Sequence, residues 1–439
     1  MTRRTRRIIF YVLLILFFIL GTGVVLYADG WRINLTNFRT EKVGGIYVRA
    51  YPQDALIALD GQSIQNQSNF LNHGTLISNL YPKNYTLSLS ETGYDAWHEN
   101  AGVEPSLVVE MKYAVLVPQT GTAVTTSSDV NNFFEIGADH VDQHSNGTIT
   151  WRNTVIGTGA ITNHSTDLKN MIYETPNGTS DLYDFTTGKT LNLSLLLQKQ
   201  RITTSSIGTI MIDPYNDTAT LVSSRNRVLT IDLSAQTVAT IATSSAGQTL
   251  APAIAASQTS LAWSEYNSAT GTSTIIVYDK FAGIVTRTIS VTGATQSLAW
   301  INADTLGILQ SNGSLLLYTF SSETLRPLAS DVKAFYPTAD GSLLAALEKN
   351  SLEIFDFAGS DYYRFNLPDM ETVQSLAWYK DQTHLFASYP DHVAFVDLAD
   401  TSLVNVITVS AGTHASYDAN NNALYLIDGG NIISFAFPN

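Results

Sequence analysis

The chain contains no cysteine among its 439 residues. Disulfide cross-links, thiol catalysis and cysteine-ligated metal ions are therefore excluded. An oxidising compartment is not excluded, because a chain of this length can bury substantial cores and needs no covalent cross-links.

Charged residues are also scarce, and basic residues are the scarcest of them. Lys, Arg, Asp and Glu make up 14% of the chain, and 24 basic residues stand against 38 acidic ones, which gives a formal charge of −14. An acidic surface repels phosphate backbones, so nucleic acid is excluded as an expected partner. A low charged fraction with plentiful Ser, Thr and Asn is typical of a secreted or surface protein.

The one long apolar run covers residues 8–27 and carries no charge. A helix of this length spans a hydrocarbon core of about 30 Å. The arginines that precede the run, together with Asp29 after it, predict a cytoplasmic N-terminus. We therefore predict a cytoplasmic stub at residues 1–7, a transmembrane helix at 8–27 and a linker at 28–42, followed by an ectodomain outside the cell membrane.

A cleaved signal peptide is the alternative interpretation of this run. Its apolar core is usually shorter, at about 7–15 residues, and ends in a small-x-small cleavage site. Leu26 is unsuited to cleavage after Ala28, so we favour a retained anchor. On either interpretation, the chain after residue 28 lies outside the cytoplasm.

The next segment, residues 43–116, has the pattern of short strands joined by tight turns. Ile46, Val48 and Ala50 share one face of a strand by alternation. Residues 52–54 (Pro-Gln-Asp) break that strand, and Asp-Gly at residues 60–61 is a strong signal for a hairpin turn. The segment predicts a small β-sandwich.

These residues resemble the PEGA domain, a module of prokaryotic envelope and surface proteins. The resemblance rests on Pro52 and Ala55 of a Pro-x-x-Ala motif, on Asp60-Gly61, on Leu80 followed by Pro82 and Tyr85, and on Gly93-Tyr94. It departs from the family pattern at Gln53-Asp54 and at Lys83-Asn84. The resemblance implies a β-sandwich at the cell surface that carries no catalytic residues.

The tetrapeptide Ser-Leu-Ala-Trp occurs three times, beginning at residues 260, 297 and 375. The first interval is 37 residues and the second is 78, and the related peptide AFYP begins at residue 334, between the second and third copies. The peptide HASY at residues 414–417 follows the third copy after 39 residues. A period near 40 in a β-rich chain predicts a stacked or radial repeat.

A second signature is a tripeptide. Its first residue is aromatic or aliphatic, its middle residue is usually Asp, and its third residue is usually apolar. Its seven copies are centred on residues 184, 232, 279, 319, 356, 397 and 436. Four short antiparallel strands per unit are typical of a β-propeller blade. We predict an all-β ectodomain in which a seven-bladed propeller at residues 117–439 follows the sandwich.

The predicted propeller resembles the YVTN, TolB and WD40 types in architecture only, because none of their diagnostic motifs is complete. Residues 114–126 are the expected donor of the strand that closes the ring. The first unit, at residues 130–197, is irregular and leaves six or eight blades open. An open β-solenoid is the weaker alternative, since it would use shorter and stricter repeats.

The tryptophans of the three copies, Trp263, Trp300 and Trp378, have two interpretations. We favour packing between blades from an inner strand, because buried aromatic side chains dominate core energetics. An exposed aromatic row for ligand binding is the alternative.

His140 and His144 are weak candidates for metal ligands, since they lie four residues apart near Asp139 and Asp142. The Glu that follows the first His in the metalloprotease motif is missing, so a solvated strand edge is favoured. No Gly-x-Ser-x-Gly elbow, Walker loop or dinucleotide fingerprint occurs. We predict no catalytic residue, no cofactor and no metal ion.

We predict a non-enzymatic envelope protein whose propeller is a binding platform for a cell-surface protein or glycan. Its partners are the membrane, through one anchor, and an envelope protein or polysaccharide. The alternative is an anchored extracytoplasmic hydrolase of glycans or peptides with its site in the propeller channel, where residues from several blades can meet without leaving a motif. A signal sensor is disfavoured, because only seven residues are predicted inside the cell.

Overall fold

A computed structural model of the chain describes residues 3–34, 39–69, 72–125, 128–136, 139–165, 169–199, 201–202, 207–216, 219–224, 226–357, 359, 362–399 and 405–439. The chain divides into two compact units. The first unit holds residues 1–122, 420–423 and 435–439, and the second holds residues 123–419 and 424–434.

The apolar run forms helix α1, Arg3–Ala28, in the first unit. Its length and composition suit a membrane crossing. None of its side chains is buried against other parts of the chain. An exposed apolar helix near the N-terminus suits either a membrane anchor or a signal sequence.

The predicted linker forms a hairpin of strands β1, Trp31–Asn34, and β2, Arg39–Lys42. The guanidinium of Arg32 lies 3.7 Å from the ring centroid of Tyr27 and donates to the Tyr27 carbonyl oxygen at 2.7 Å. It also donates to Asn79 Oδ1 at 2.8 Å. Arg32 therefore connects the end of the helix to the sandwich that follows.

The sandwich consists of a three-stranded sheet in the order β6-β3-β9 and a four-stranded sheet in the order β5-β4-β7-β8. In chain order its strands are β3 (Gly44–Tyr51), β4 (Leu56–Leu59), β5 (Gln62–Ile64), β6 (Thr75–Leu80), β7 (Asn84–Ser90), β8 (Trp97–Gly102) and β9 (Val108–Val115). Ile46, Val48 and Ala50 are buried in its core with Leu87 and Leu89 of the other sheet, as the alternation predicts.

Eight four-stranded antiparallel sheets follow within the described residues. The first four are β11–β14 (Val130–Ile136, Asp139–His144, Thr148–Trp151, Thr154–Thr158), β15–β18 (Ala160–His164, Asn170–Glu174, Ser180–Asp184, Lys189–Asn192), β19–β22 (Ile207–Ile212, Ala219–Ser224, Arg227–Asp232, Thr237–Thr243) and β23–β26 (Thr249–Ala256, Ser260–Asn267, Thr272–Asp279, Ile284–Thr292). The next three are β27–β30 (Thr295–Asn302, Thr305–Gln310, Leu315–Thr319, Thr324–Ala329), β31–β34 (Val332–Pro337, Leu343–Glu348, Leu352–Asp356, Tyr362–Phe365) and β35–β38 (Ser375–Trp378, His384–Ser388, Val393–Asp397, Asn405–Ser410). The eighth joins β39–β41 (Thr413–Asp418, Ala423–Asp428, Asn431–Ala436) to β10 (Thr122–Ala123). A short helix, α2 (Leu193–Lys199), separates the second sheet from the third.

These sheets are the blades of a β-propeller that is closed by its N-terminal strand. First strands of neighbouring blades contact one another in the pairs β15 and β19, β19 and β23, β23 and β27, β31 and β35, and β35 and β39, and the contact of β39 with β11 completes the ring. The amide of Val124, next to β10, donates to the Ile432 carbonyl oxygen at 2.8 Å. The closing strand is shorter than the donor predicted at residues 114–126, because residues 114–115 end strand β9 of the sandwich.

The prediction of seven blades is wrong, since the described residues form eight. The region taken as one irregular unit, residues 130–197, contains two complete blades, β11–β14 and β15–β18. The seven copies of the second signature lie at the ends of the third strands of blades two to eight. The first blade was missed because its third strand, β13, has no such signature.

The aspartates of that signature form the turn into the fourth strand. In five blades a carboxylate oxygen accepts backbone N–H groups two or three residues further on, as in an Asx turn. These carboxylates belong to Asp184, Asp232, Asp279, Asp356 and Asp397. In the first blade, the two-residue turn of Arg152 and Asn153, with φ of 51° and 60°, joins β13 to β14 without an aspartate.

The first Ser-Leu-Ala-Trp copy is not equivalent to the other two. It lies in β24, the second strand of its blade, whereas the copies at residues 297–300 and 375–378 lie in the first strands β27 and β35. AFYP and HASY also lie in first strands, β31 and β39. The assignment to an inner strand is therefore wrong for the first copy, because first and second strands of a blade share the same apolar composition.

Candidate functional site

Four consecutive blades contribute their first turns to one pocket. In an up-and-down blade, the turn between the first and second strands lies at the same end of every sheet, so these turns share one face of the propeller. The turns of blades three to six enclose a pocket of about 520 Å³, which we call the turn groove. It is lined by Tyr215, Ser257, Gln258, Thr259, Trp300, Ile301, Asn302, Ala303, Pro337, Thr338, Ala339 and Asp340.

Short polar side chains give these turns their shape. Asp213 Oδ1 accepts the amide of Tyr215 at 2.9 Å, and Asn302 Oδ1 accepts the amide of Asp304 at 2.9 Å. Asp340 repeats the arrangement in blade six, where its Oδ1 accepts the amide of Ser342 at 3.0 Å. Because such turns satisfy their own backbone groups, they hold their neighbours in a defined position.

Two aromatic side chains lie in the wall of the turn groove. Tyr215 is 57% exposed, which is unusual for a side chain of its size. Trp300 is half-buried and stacks on Phe320 with ring centroids 5.3 Å apart. Its Nε1 has no hydrogen-bond partner among the described residues. An indole N–H donor without a partner is costly unless a ligand or water accepts its bond.

A buried ion pair supports the groove from beneath. Lys280 Nζ lies 2.6 Å from Asp213 Oδ2 and donates to the Ser257 carbonyl oxygen at 2.6 Å. Asp213 belongs to the turn of blade three and Ser257 to the turn of blade four, so Lys280 joins these two turns. Its ammonium also lies 5.6 Å from the ring centroid of Tyr215. The position of Tyr215 is therefore fixed relative to the next turn.

The described lining of the groove contains a single charged side chain. That side chain is Asp340, the one carboxylate in the described lining. The pKa of Asp340 is held well below its usual range, first by the amide of Ser342 and then by the hydroxyls of Thr338 and Ser342. The Thr338 hydroxyl donates to Asp340 Oδ1 at 2.7 Å. The carboxylate is thus ionised, and its Oδ1 accepts hydrogen bonds from its own turn. The lining is suited to hydrogen bonding and stacking, and its described residues contain no acid and base pair.

The structure places the three predicted tryptophans in different environments. Trp263 has no exposed surface and packs in a cluster with Leu261 and Val228. Trp378 is half-buried, and its Nε1 donates to the Tyr336 carbonyl oxygen at 2.9 Å, from blade seven to blade six. Trp300 packs against the cluster of blades four and five and also lines the turn groove. They form no common row, and one of them lies in a pocket.

The histidine pair lies in a separate pocket of about 380 Å³ on the first blade. His140 Nε2 is 3.5 Å from Asp142 Oδ1, while His144 is held between Asp129 Oδ1 at 2.8 Å and Thr150 Oγ1 at 3.0 Å. Burial raises the pKa of Asp142. In the part of the chain that the structure describes, no group of three or more His, Asp or Glu side chains has an arrangement that holds a metal ion.

A pair of buried carboxylates, Glu348 and Glu353, lies outside the lining of the groove, on blade six. Arg364 joins them, with Nη2 2.9 Å from Glu348 Oε2 and Nε 3.3 Å from Glu353 Oε1. The Tyr362 hydroxyl donates to Glu353 Oε1 at 2.6 Å. Burial raises the pKa of Glu353. These carboxylates are occupied by protein groups, and none of them lines a described pocket.

Sequence reasoning missed Tyr215, Gln258 and Asn302 as candidate residues. Each lies in a polar turn, and its residue type is common in turns of any function. One signal was available: the three positions recur at about 40 residues, in the same phase as Asp340. Residues at the same position in the repeat lie at the same end of neighbouring blades.

No family model matches the chain, and no curated protein matches it. The resemblance of residues 43–116 to the PEGA domain therefore stays a prediction. Among solved structures, the chain is similar to the computationally designed Ika8 protein at 12% identity, over 72% of this chain and 98% of that one, with a TM-score of 0.52.

The chain is also similar to an oligogalacturonate lyase from Vibrio parahaemolyticus at 12% identity, over 73% of this chain and 98% of that one, with a TM-score of 0.46. For BamB from Moraxella catarrhalis the identity is 12%, the coverage 73% and 100%, and the TM-score 0.47. At these identities, likeness concerns the fold alone, which is that of a β-propeller.

Proposed function

We propose that the chain is a membrane-anchored, extracytoplasmic binding protein that catalyses no reaction. Helix α1 is its single anchor, with the N-terminus in the cytoplasm because of the preceding arginines. The PEGA-like sandwich is a spacer or a module that contacts the cell wall. The propeller binds an envelope protein or polysaccharide through the turn groove.

The observation that carries this proposal is the construction of the turn groove. Turns from four blades converge on it, an exposed tyrosine and a tryptophan with an unpaired N–H line it, and the Oδ1 of its one described carboxylate accepts a hydrogen bond from its own turn. Pockets with a few polar groups and aromatic walls are the usual form of a binding site. A hydrolase would need an acid and a base within reach of one bond, and the described residues of the lining supply no such pair.

The test uses the full-length protein in phospholipid nanodiscs, immobilised and incubated with envelope extracts. The extracts are separated into wall polymer, polysaccharide and membrane protein, and retained material is measured by mass spectrometry. We expect saturable retention of one fraction by the unaltered protein. We expect Tyr215→Ala to reduce that retention by about tenfold, because it removes a stacking surface.

The matched control is Phe281→Ala, since Phe281 is an exposed aromatic residue, at 81%, outside the groove. This variant should retain the same fraction as the unaltered protein. Equal loss in both variants, or retention unaffected by Tyr215→Ala, would contradict the proposal. Release of small fragments from the polymer would favour the anchored hydrolase instead.

A further inference from the structure

We infer that the ligand of the turn groove is a neutral oligosaccharide rather than a peptide or an acidic glycan. The inference rests on the proposed function, since it names the ligand class of the same site. It draws on three properties of the lining: its hydrogen-bonding side chains, its charge and the hydrogen bonds that its backbone amides already make.

The polar groups that line the groove are mainly amides and hydroxyls. The side-chain amide of Gln258 and the hydroxyls of Thr259 and Tyr215 line it, the Oδ1 of Asn302 is held by the amide of Asp304, and the Nε1 of Trp300 is buried without a partner in the described structure. Amides and hydroxyls both donate and accept hydrogen bonds, which matches the hydroxyl groups of a sugar ring. The aromatic faces of Tyr215 and Trp300 suit the apolar C–H faces of such rings.

The charge of the site disfavours an acidic ligand. The described lining contains one carboxylate, Asp340, and no lysine or arginine. Lys280, whose ammonium lies 5.6 Å from the ring centroid of Tyr215, is already paired with Asp213 at 2.6 Å. A carboxylate or sulfate on the ligand would lose its hydration and meet no unpaired cation among the described lining residues, in a chain with a formal charge of −14.

The backbone of the groove disfavours a peptide. An extended peptide binds by adding a strand to an open sheet edge, where unpaired N–H and C=O groups are available. The groove is made of turns, and the amides of Tyr215, Asp304 and Ser342 already donate to side chains of the same turns. A peptide would find few main-chain partners here, whereas a sugar needs none.

The test measures binding of defined probes to the full-length protein in nanodiscs, because sugar-headed detergents would compete. The probes are neutral gluco-, manno- and galacto-oligosaccharides, the corresponding uronic-acid oligosaccharides, and a set of extended peptides. Binding is followed by isothermal titration calorimetry and by tryptophan fluorescence. We expect saturable binding of a neutral oligosaccharide, accompanied by a fluorescence change that Trp300→Phe abolishes.

Variants separate stacking from hydrogen bonding. Tyr215→Ala should weaken the binding about tenfold, Tyr215→Phe should keep most of it, and Gln258→Ala should weaken it less than Tyr215→Ala. Phe281→Ala is the control and should leave the dissociation constant unchanged.

The outcomes distinguish this inference from the proposed function. Tighter binding of an acidic oligosaccharide or a peptide, or no binding of any neutral glycan, overturns the inference. If an envelope fraction is still retained in a Tyr215-dependent manner, the proposed function stands without it. If no probe binds and no envelope fraction is retained, both the inference and the proposed function are wrong.

Discussion

Lys280 occupies a position that the repeat normally gives to an apolar residue. The other six copies of the third-strand signature end in Phe or Leu, namely Phe185, Leu233, Phe320, Phe357, Leu398 and Phe437. A cation there is tolerated because Asp213 neutralises it and Ser257 accepts its hydrogen bond. A single departure from the repeat thus connects two blades directly beneath the turn groove.

His384 is a second ionisable residue in the propeller interior, with 1% of its surface exposed. Its Nδ1 lies 2.8 Å from Asp381 Oδ2 and its Nε2 lies 3.5 Å from Asp397 Oδ2, while its ring stacks on Phe395. Burial alone lowers the pKa of His384, but the hydrogen bonds and charges of the two carboxylates outweigh it and raise the pKa to about 9. His384 is therefore protonated at neutral pH.

This arrangement predicts a stability that depends on pH. The pKa of His384 is about 9 when the chain is folded and 6.5 when it is unfolded, so the folded chain binds the extra proton between these values. The stabilisation is fully present below pH of about 6.5 and is lost as pH rises through about 9. We expect the free energy of unfolding to fall by an amount on the order of 3 kcal/mol over this range, measured by denaturant titration.

His384→Gln should remove this pH dependence. The control is His392→Gln on the same blade, because His392 lies beside Asp391 at 2.8 Å but is far more exposed than His384. His392→Gln should keep the pH dependence of the unaltered protein. An identical pH profile for His384→Gln and the unaltered protein would contradict the assignment.

At the scale of the element, an aspartate at the end of the third strand shapes the hairpin that leads to the fourth. Asp232 is a clear case, since its Oδ1 accepts the amides of Ser234 and Ala235, both at 2.9 Å. These hydrogen bonds lower the pKa of Asp232, with that from Ala235 the largest cause. The aspartate satisfies amides that the sheet leaves unpaired.

We expect Asp232→Ala to destabilise this hairpin, because two amides lose their acceptor. Amide hydrogen exchange of Ser234 and Ala235 should become roughly fivefold faster. Thr319→Ala, at the equivalent position of blade five, is the control, since the structure records no hydrogen bond from that hydroxyl. Equal exchange rates in Asp232→Ala and the unaltered protein would show that the carboxylate does not hold the turn.

At the scale of the whole molecule, the propeller depends on one short strand from its N-terminal end. The amide of Val124 donates to the Ile432 carbonyl oxygen at 2.8 Å, and Thr125 Oγ1 accepts the amide of Ile432 at 3.0 Å. Strand β10 is the fourth strand of the last blade, so it completes that sheet and covers the edge of β41. Loss of the closing strand would expose the edge of β41.

We expect Val124→Pro to lower the free energy of unfolding by about 3 kcal/mol, because proline has no N–H to donate and distorts the strand. Limited proteolysis should then cleave the last blade sooner than in the unaltered protein. Val124→Ala is the control, since it removes the side chain but keeps the amide. Similar proteolysis of the proline and alanine variants would argue against closure through this amide.

Much of the fold could be predicted from local features of the chain. The apolar run predicted α1, the alternation around Ile46 predicted a core strand, and seven aspartate-type signatures located seven third strands. The first blade escaped because the turn at residues 152–153 is closed by backbone conformation and needs no aspartate. The prediction that the first Ser-Leu-Ala-Trp copy lies in an inner strand like the other two was wrong for a related reason. A short, largely apolar peptide fits the first and the second strand of a blade equally well.

The sequence by itself determined where the turns lie, because Asp, Asn, Gly and Pro favour turns through their own backbone and side-chain chemistry. Only the tertiary structure decided which turns meet. Tyr215, Gln258, Asn302 and Asp340 lie far apart in the chain and become neighbours because blades of equal phase are arranged in a closed ring. The turn groove forms because neighbouring blades pack side by side, whereas the recurrence at about 40 residues indicates only that these turns share one end of the blades.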